Sequence, residues 1–298
     1  MIKLEALTKY YKNHARGIID LSLTIKKGEV FGFIGPNGAG KSTTVRTILN
    51  LIFPTSGKGL VNNLDIVNDT VAIRKLVGYI PGEVHYYNDM IVDDFLRYAA
   101  SYYGEVDETY YQYLVDKLSL DLTKKMGDLS LGNKKKVAIV QAFLPRPKIL
   151  ILDEPTSGLD PLMQNTFFQL LDEERKRGTT IFFSSHILGE VQRICDRVGI
   201  IKDGRLVKVE TISDIMKTKA KKVRLVSPDN LPADEHIVGL EETQDTKHFV
   251  YTGEVHDLLK LVNTMTVKDI SITNPSLEEI FMHYYEKEDD HHEVINED

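Results

Sequence analysis

The stretch GPNGAGKST, Gly35 to Thr43, constrains the fold of this 298-residue chain more than any other. An apolar run, Val30 to Ile34, precedes it, and Val45, Ile48, Leu49 and Ile52 follow at helical spacing. Strand, glycine-rich turn and helix form the context in which the G-x-x-x-x-G-K-[ST] pattern holds phosphate. Gly35, Gly38 and Gly40 admit backbone conformations closed to other residues, so successive N–H groups can point at one anion. The helix expected to start near Ser42 adds its positive end. Lys41 is placed to reach outer phosphates, and Ser42 to set its hydroxyl on Mg²⁺.

The chain is long enough for one large domain plus a small one. A net charge of −7 leaves no global basic footprint, so no nucleic-acid partner is expected. No apolar run approaches the roughly 20 residues that cross a bilayer, and the start MIKLEALTKYYK has no signal-peptide core. The single cysteine, Cys195, excludes an internal disulfide and a cysteine-built metal site. A soluble cytoplasmic protein is expected, acting at a membrane only through a partner.

Residues 1 to 30 alternate short β-like runs with the turn KKGE, predicting a small antiparallel sheet ahead of the phosphate strand. Tyr10 and Tyr11 end its first strand, either to stack on a nucleobase or to cover the sheet edge. PTSGKG, Pro54 to Gly59, reads as a turn, and LVGYIPGE, Leu76 to Glu83, as a strand closed by proline and glycine. From Met90 the spacing puts Ile91, Phe95, Tyr98, Ala99 and Tyr102 on one helical face, and a second helical run covers Tyr110 to Leu118. The block from about 84 to 145 is therefore helical and inserted. Lys134, Lys135 and Lys136 fall in the first turn of its last helix, against the dipole. They form either a solvated basic face or a site for an approaching anion.

KILILDEP is a continuous apolar strand ending in Asp153 and Glu154, a costly pair unless a cation or water meets it. TTIFFSSH repeats the pattern and ends in His186, at the sheet edge where ligands of open α/β sheets bind. Beyond about Thr218, KKVRLVS, HFVYTG and VKDISIT read as three strands, with a helix on Val255, Leu258, Leu259 and Val262. NPSLEEIFMHYY offers a capping box at Ser276 and Glu279. The acidic end, with His291 and His292, reads as a disordered tail.

Over roughly residues 2 to 216 these motifs resemble the ATP-binding subunit of an ABC transporter. GPNGAGKST resembles the Walker A loop, which implies that Gly35, Pro36, Asn37, Gly38, Ala39, Gly40, Lys41, Ser42 and Thr43 wrap ATP. ILILDEP resembles Walker B, with Asp153 as a Mg²⁺ residue and Glu154 as the catalytic carboxylate; SSH resembles the switch histidine, His186. SGLD, ending at Asp160, resembles the D-loop, LSLGN at Leu129 to Asn133 the signature, and Tyr11 the adenine-stacking aromatic. The implied fold is α/β: a P-loop NTPase core over 1–216 with an N-terminal antiparallel β subdomain and the helical insertion. A small α+β domain over 217–285 and a tail over 286–298 complete it.

The sequence departs from the family pattern twice. Gly82 stands where a glutamine is expected after YIP; Glu83, one residue late, is a candidate Mg²⁺ ligand, the alternative being a water. In the signature Leu131 and Asn133 replace Gly and Gln, while Ser130 and Gly132 remain at the positions that resemble γ-phosphate contacts. The resemblance implies Lys41, Glu154 and His186 as catalytic residues, and a head-to-tail dimer, homomeric or with a related ATPase. It also implies a separate integral-membrane permease, with the chain at the cytoplasmic face of the membrane and Tyr86 and Tyr87 as candidate contacts. The ending resembles export systems for drugs, antimicrobial peptides or polysaccharides. A soluble ABC ATPase of ribosomes or DNA is the alternative, weakened by the single cassette and the lack of sustained heptads.

Overall fold

Alternating apolar residues at the start of the chain pair β1 (Ile2–Tyr10) with β2 (Arg16–Ile25) antiparallel, Ile2 facing Ile25 and Leu4 facing Leu23. The computed structural model describes residues 1–12, 16–216 and 220–274. The chain divides into two units, Met1–Thr211 and Ile212–Asp298.

In the first unit β3 (Val30–Ile34) is buried at every position and runs into α1 (Lys41–Ile48). β4 (Ser56–Val61) and β5 (Leu64–Asp65) return to the first pair, giving an antiparallel sheet in the order β2-β1-β4-β5. The turn expected over Pro54–Gly59 is thus a strand from Ser56 on. Its glycines mislead because Gly57, at φ +83°, lies so close to β1 that a Cβ would stand 2.2 Å from the Ala6 carbonyl.

α2 (Thr70–Arg74), β6 (Val77–Ile80), α3 (Val92–Ser101), α4 (Glu108–Leu118) and α5 (Leu131–Phe143) follow. Next come β7 (Ile149–Asp153), α6 (Pro161–Lys176), β8 (Thr180–Ser185), α7 (Leu188–Ile194), β9 (Arg197–Lys202) and β10 (Arg205–Thr211). The main sheet has the order β10-β9-β3-β8-β7-β6, parallel from β9 to β6, with β10 antiparallel at the edge. Its central strands are buried on both faces, which explains their unbroken apolar sequences. The architecture is the α/β core with an antiparallel β subdomain and a helical insertion.

α3 buries a different stripe from the one its spacing suggests. Val92, Phe95, Leu96 and Ala100 are buried, while Tyr98 and Tyr102 are exposed and bond each other through their hydroxyls at 2.6 Å. Tyrosine is amphipathic enough to satisfy a core-like pattern from the outer face. Tyr86 differs from expectation in the opposite sense: its ring packs edge-on against Phe95 at 4.9 Å between centroids, and burial pushes its hydroxyl pKa up. Tyr87 is exposed.

The second unit begins with α8 (Ile212–Met216) and continues with β11 (Lys221–Val226), β12 (Ile237–Thr243), β13 (Thr246–Tyr251), α9 (Val255–Val262) and β14 (Asp269–Thr273). Its antiparallel sheet has the order β12-β13-β11-β14, around Val223, Leu225, Phe249, Tyr251, Leu258 and Val262. Reading the sequence as three strands missed β12. That strand lies at the edge, is mostly exposed and carries Glu241 and Glu242, so it shows no apolar alternation. The helix-capping pair Ser276 and Glu279 and the acidic tail lie outside the described residues.

Candidate nucleotide site

β3 ends at Ile34, and the turn that follows is shaped by its glycines. Gly40 takes φ +110°, and a Cβ there would stand 2.6 Å from the Gly17 carbonyl. α1 then starts at Lys41 with no side-chain cap, so its first N–H groups are left for an anion. Ala39 and Pro36 close the turn, Ala39 N–H donating to the Pro36 carbonyl at 3.2 Å. Lys41 is only 5% exposed, and its Nζ folds back over the loop to donate to the carbonyls of Gly35 (2.8 Å) and Pro36 (3.1 Å). Tyr11 stands beside the loop, its hydroxyl 3.1 Å from the Thr43 hydroxyl.

Two neighbouring strands bring the acids and the histidine to Lys41. Asp153, the last residue of β7, is 1% exposed and accepts a hydrogen bond from the Ser184 hydroxyl at 2.7 Å. Glu154 follows at φ +46°, a left-handed conformation that costs about 1–2 kcal/mol for a residue with a Cβ. β8 holds it there, because the Glu154 N–H donates to the Ser184 carbonyl at 3.1 Å and to its hydroxyl at 3.3 Å. The strained turn aims the carboxylate out of the sheet, with Oε1 3.4 Å from Lys41 Nζ and 3.2 Å from His186 Nδ1. A cleft of about 240 Å³ opens there, lined by Glu154, Ser157, Gly158, Gln164, Ser185 and His186 among others.

The remaining predicted residues lie differently. Ser130 is the N-cap of α5 and accepts from Asn133 N–H at 3.3 Å. Asp160 caps α6, accepting from Leu162 and Met163 N–H at 3.0 Å each. Gly132 packs against Gly158, whose carbonyl is 3.0 Å from the place of its Cβ. The carboxylate of Glu83 is turned to solvent, 84% exposed and 3.6 Å from His85, so the structure does not bring it to Asp153. The residue that does border Asp153 is Gly82, where a Cβ would stand 3.5 Å from Asp153 Oδ2. The reason is geometric: β6 runs parallel beside β7, so the first residues after Ile80 reach the end of β7 and the next one turns away.

Sequence reasoning missed Ser184 and Lys135. Ser184 precedes His186 in a strand that faces β7, a signal available once the two strands are paired. Of the three lysines of α5, Lys135 is buried, donating to the carbonyls of Pro81 and Gly82, so it belongs neither to a basic face nor to an anion site. Its signal was helical spacing, which sets it on the face of Ala138, Ile139 and Ala142.

The donor set suits a hard divalent cation: Asp153 is a buried carboxylate with one hydroxyl partner, and Ser42 supplies an oxygen at the start of α1. No cluster of three or more His, Cys, Asp or Glu able to hold a metal occurs among the described residues.

The ABC transporter family model matches residues 18–157. The bacitracin transport ATP-binding protein BcrA of Bacillus licheniformis is 32% identical over 95% of this chain and 96% of its own length. The ABC transporter ATP-binding protein YtrB of Bacillus subtilis (strain 168) is 33% identical over 74% of this chain and 75% of its own. Among solved structures, an ATP-binding subunit of an ABC transporter superposes with a TM-score of 0.67 at 32% identity, covering 73% of this chain and 92% of that one. The dimeric cassette MJ0796 superposes at 0.65 with 26% identity, covering 71% and 99%. Because the match to BcrA runs nearly the length of both chains and the strand-end chemistry is that of phosphate handling, this chain belongs to the ABC transporter ATP-binding proteins and is an ATP-binding, ATP-hydrolysing subunit.

Proposed function

We propose that this chain powers a separate integral-membrane permease from the cytoplasmic face, exporting cargo through cycles of ATP binding and hydrolysis in a head-to-tail pair. The pair consists of two copies or of one copy and a related ATPase. The observation that carries this reading is the Glu154 carboxylate held between Lys41 and His186 at the mouth of the phosphate loop.

Phosphoryl transfer asks chiefly for positioning and charge stabilisation. The amides of Gly38 to Thr43 receive the phosphates, and Lys41 leaves the Gly35 and Pro36 carbonyls to bind the outer ones. Tyr11 stacks on adenine. Ser42 and Asp153 hold Mg²⁺, which when bound neutralises phosphate charge. Glu154 orients the attacking water and takes its proton, and His186 donates to the γ-phosphate. Ser130 and Gly132 of the second chain cover that phosphate, and Asp160 lies in the loop that meets the opposing copy. Hydrolysis removes the phosphate that bridges the two halves, and the pair loosens.

The similarity to MJ0796, solved as a dimer, supports the pairing, and that to a bacitracin transport protein over nearly the whole chain supports export. No helix among the described residues is long and apolar enough to cross a membrane. Exposed Tyr87, Tyr98 and Tyr102 on the helical block are the proposed permease contacts. Glu154→Gln should bind ATP, lose turnover and accumulate as a closed dimer. Size-exclusion chromatography with Mg–ATP checks this, and a variant that stays monomeric at high concentration refutes the paired site.

A further inference from the structure

A lysine buried inside a helix is unfavourable, because its charge leaves water. Lys135 occupies such a place: it is 1% exposed, in a helix whose neighbouring positions are Val137, Ala138 and Ile139, all buried. Among the described residues no carboxylate pairs with it. Its Nζ donates instead to two backbone carbonyls, Pro81 at 3.0 Å and Gly82 at 3.1 Å. A methionine would fill the same space without the charge, so packing alone gives no reason for an ammonium here.

The two carbonyls belong to the turn that leaves β6, and this turn borders the hydrolytic carboxylates. The backbone at Gly82 lies against Asp153, the place of its missing Cβ being 3.5 Å from Oδ2 and 3.6 Å from the Asp153 carbonyl. A second tie joins the same loop to α5, the Tyr86 hydroxyl donating to the Lys134 carbonyl at 3.4 Å. Burial pushes the Lys135 amine down to about 8, while the charges of Asp153 and then Glu154 pull it up. The ammonium is therefore within electrostatic reach of both acids.

We propose that Lys135 is a positioning residue for ATP hydrolysis: its ammonium ties the helix that starts at Ser130 to the Pro81–Gly82 turn, and so holds that turn against Asp153. The glycine at 82 lets the turn approach the carboxylate directly, and the lysine supplies from the next element the hydrogen bonds that keep it there. Lys135 touches no substrate atom. It acts on the end of β7 through the backbone of residues 81 and 82. This inference rests on the proposed roles of Asp153 and Glu154.

The test uses the purified full chain, with Lys135→Met, Lys135→Gln and, as a control on the same helix, Lys134→Met. ATPase kcat, the KM for ATP, the Mg²⁺ concentration for half-maximal turnover and the thermal midpoint are measured for each. For Lys135→Met the proposal expects a thermal midpoint no lower than the parent's and a KM within about twofold. It also expects a kcat at least about tenfold lower and a severalfold higher Mg²⁺ requirement. Lys134→Met should stay within about twofold of the parent on every measure.

A Lys135→Met kcat within about twofold of the parent overturns the proposal, as does a loss of activity matched by a lowered midpoint. Should that variant not fold, Lys135→Gln decides. A roughly tenfold kcat loss at unchanged KM supports the need for the ammonium, and near-parental kcat refutes it. If Glu154→Gln loses turnover while Lys135→Met does not, only this inference fails; if Glu154→Gln keeps turnover, the proposed function fails first.

Discussion

Two turns leave the same edge of the main sheet, one after β3 and one after β6, and each is tied down by a buried lysine on two carbonyls. Lys41 comes from the helix that its own turn opens, six and five residues from the carbonyls it meets. Lys135 reaches its carbonyls from 54 and 53 residues away. Lys41 also has a carboxylate at 3.4 Å, which offsets its burial, whereas no described carboxylate pairs with Lys135. The first turn is a local motif whose lysine lies in the proposed nucleotide site, and the second is a tertiary contact. On the roles proposed above, similar chemistry serves binding on one side of Asp153 and Glu154 and bracing on the other.

The largest expected effect breaks the first turn. Lys41→Ala should abolish measurable ATPase activity and weaken ATP binding, since it removes the cation proposed to meet the outer phosphates. Glu154→Gln should lose about 10²-fold or more in kcat while still binding ATP, as expected if the proposed general base is removed. A Lys41→Ala enzyme with parental KM and kcat would erase the distinction between the two lysines.

Ser184→Ala ranks next. It removes the hydroxyl bonded to Asp153 and to the Glu154 N–H, so kcat should fall by roughly tenfold with KM little changed, about one hydrogen bond's worth to a charged group. Steady-state kinetics check the split.

Gly78→Ala probes the second turn from below. A Cβ at Gly78 would lie 2.1 Å from the Ala142 carbonyl of α5, so β6 and α5 must separate. A loss of about 1–3 kcal/mol in unfolding free energy is expected, with kcat lowered more than ATP affinity. Urea denaturation measures the stability loss, steady-state kinetics and nucleotide titration the other two, and equal losses of kcat and ATP affinity would count against a bracing role for the β6 side.

The smallest effect is expected at Glu83. With its carboxylate in solvent, Glu83→Ala should shift the half-maximal Mg²⁺ concentration by less than about twofold. A Mg²⁺ titration showing a severalfold rise would restore Glu83 as a ligand and require the 81–83 turn to move.

The C-terminal unit shows where pattern reading weakens. β11, β13, β14 and α9 were legible because each turns apolar residues toward the core of that unit, although Leu259, expected on the inner face of α9, is exposed; β12, an acidic edge strand, buries almost nothing and left no pattern. The same limit explains α3, where tyrosines mimicked a buried face and then stood on the exposed one.

By itself the sequence determined the chemistry held in short contiguous segments. The phosphate loop, the acids at the end of β7 and the histidine after β8 are each set by local backbone geometry and by an apolar run that must be a buried strand. Only the tertiary structure decided what happens between segments. It set Gly82 rather than Glu83 beside Asp153, gave Ser184 its two acidic neighbours and turned Lys135 inward from a run of three lysines. These outcomes depend on which strands lie side by side and on one helix's rotation about its axis. Long-range packing fixes both: the order of strands leaves no mark in the order of residues along the chain, and the helix's rotation leaves only the spacing of Lys135 with Ala138, Ile139 and Ala142.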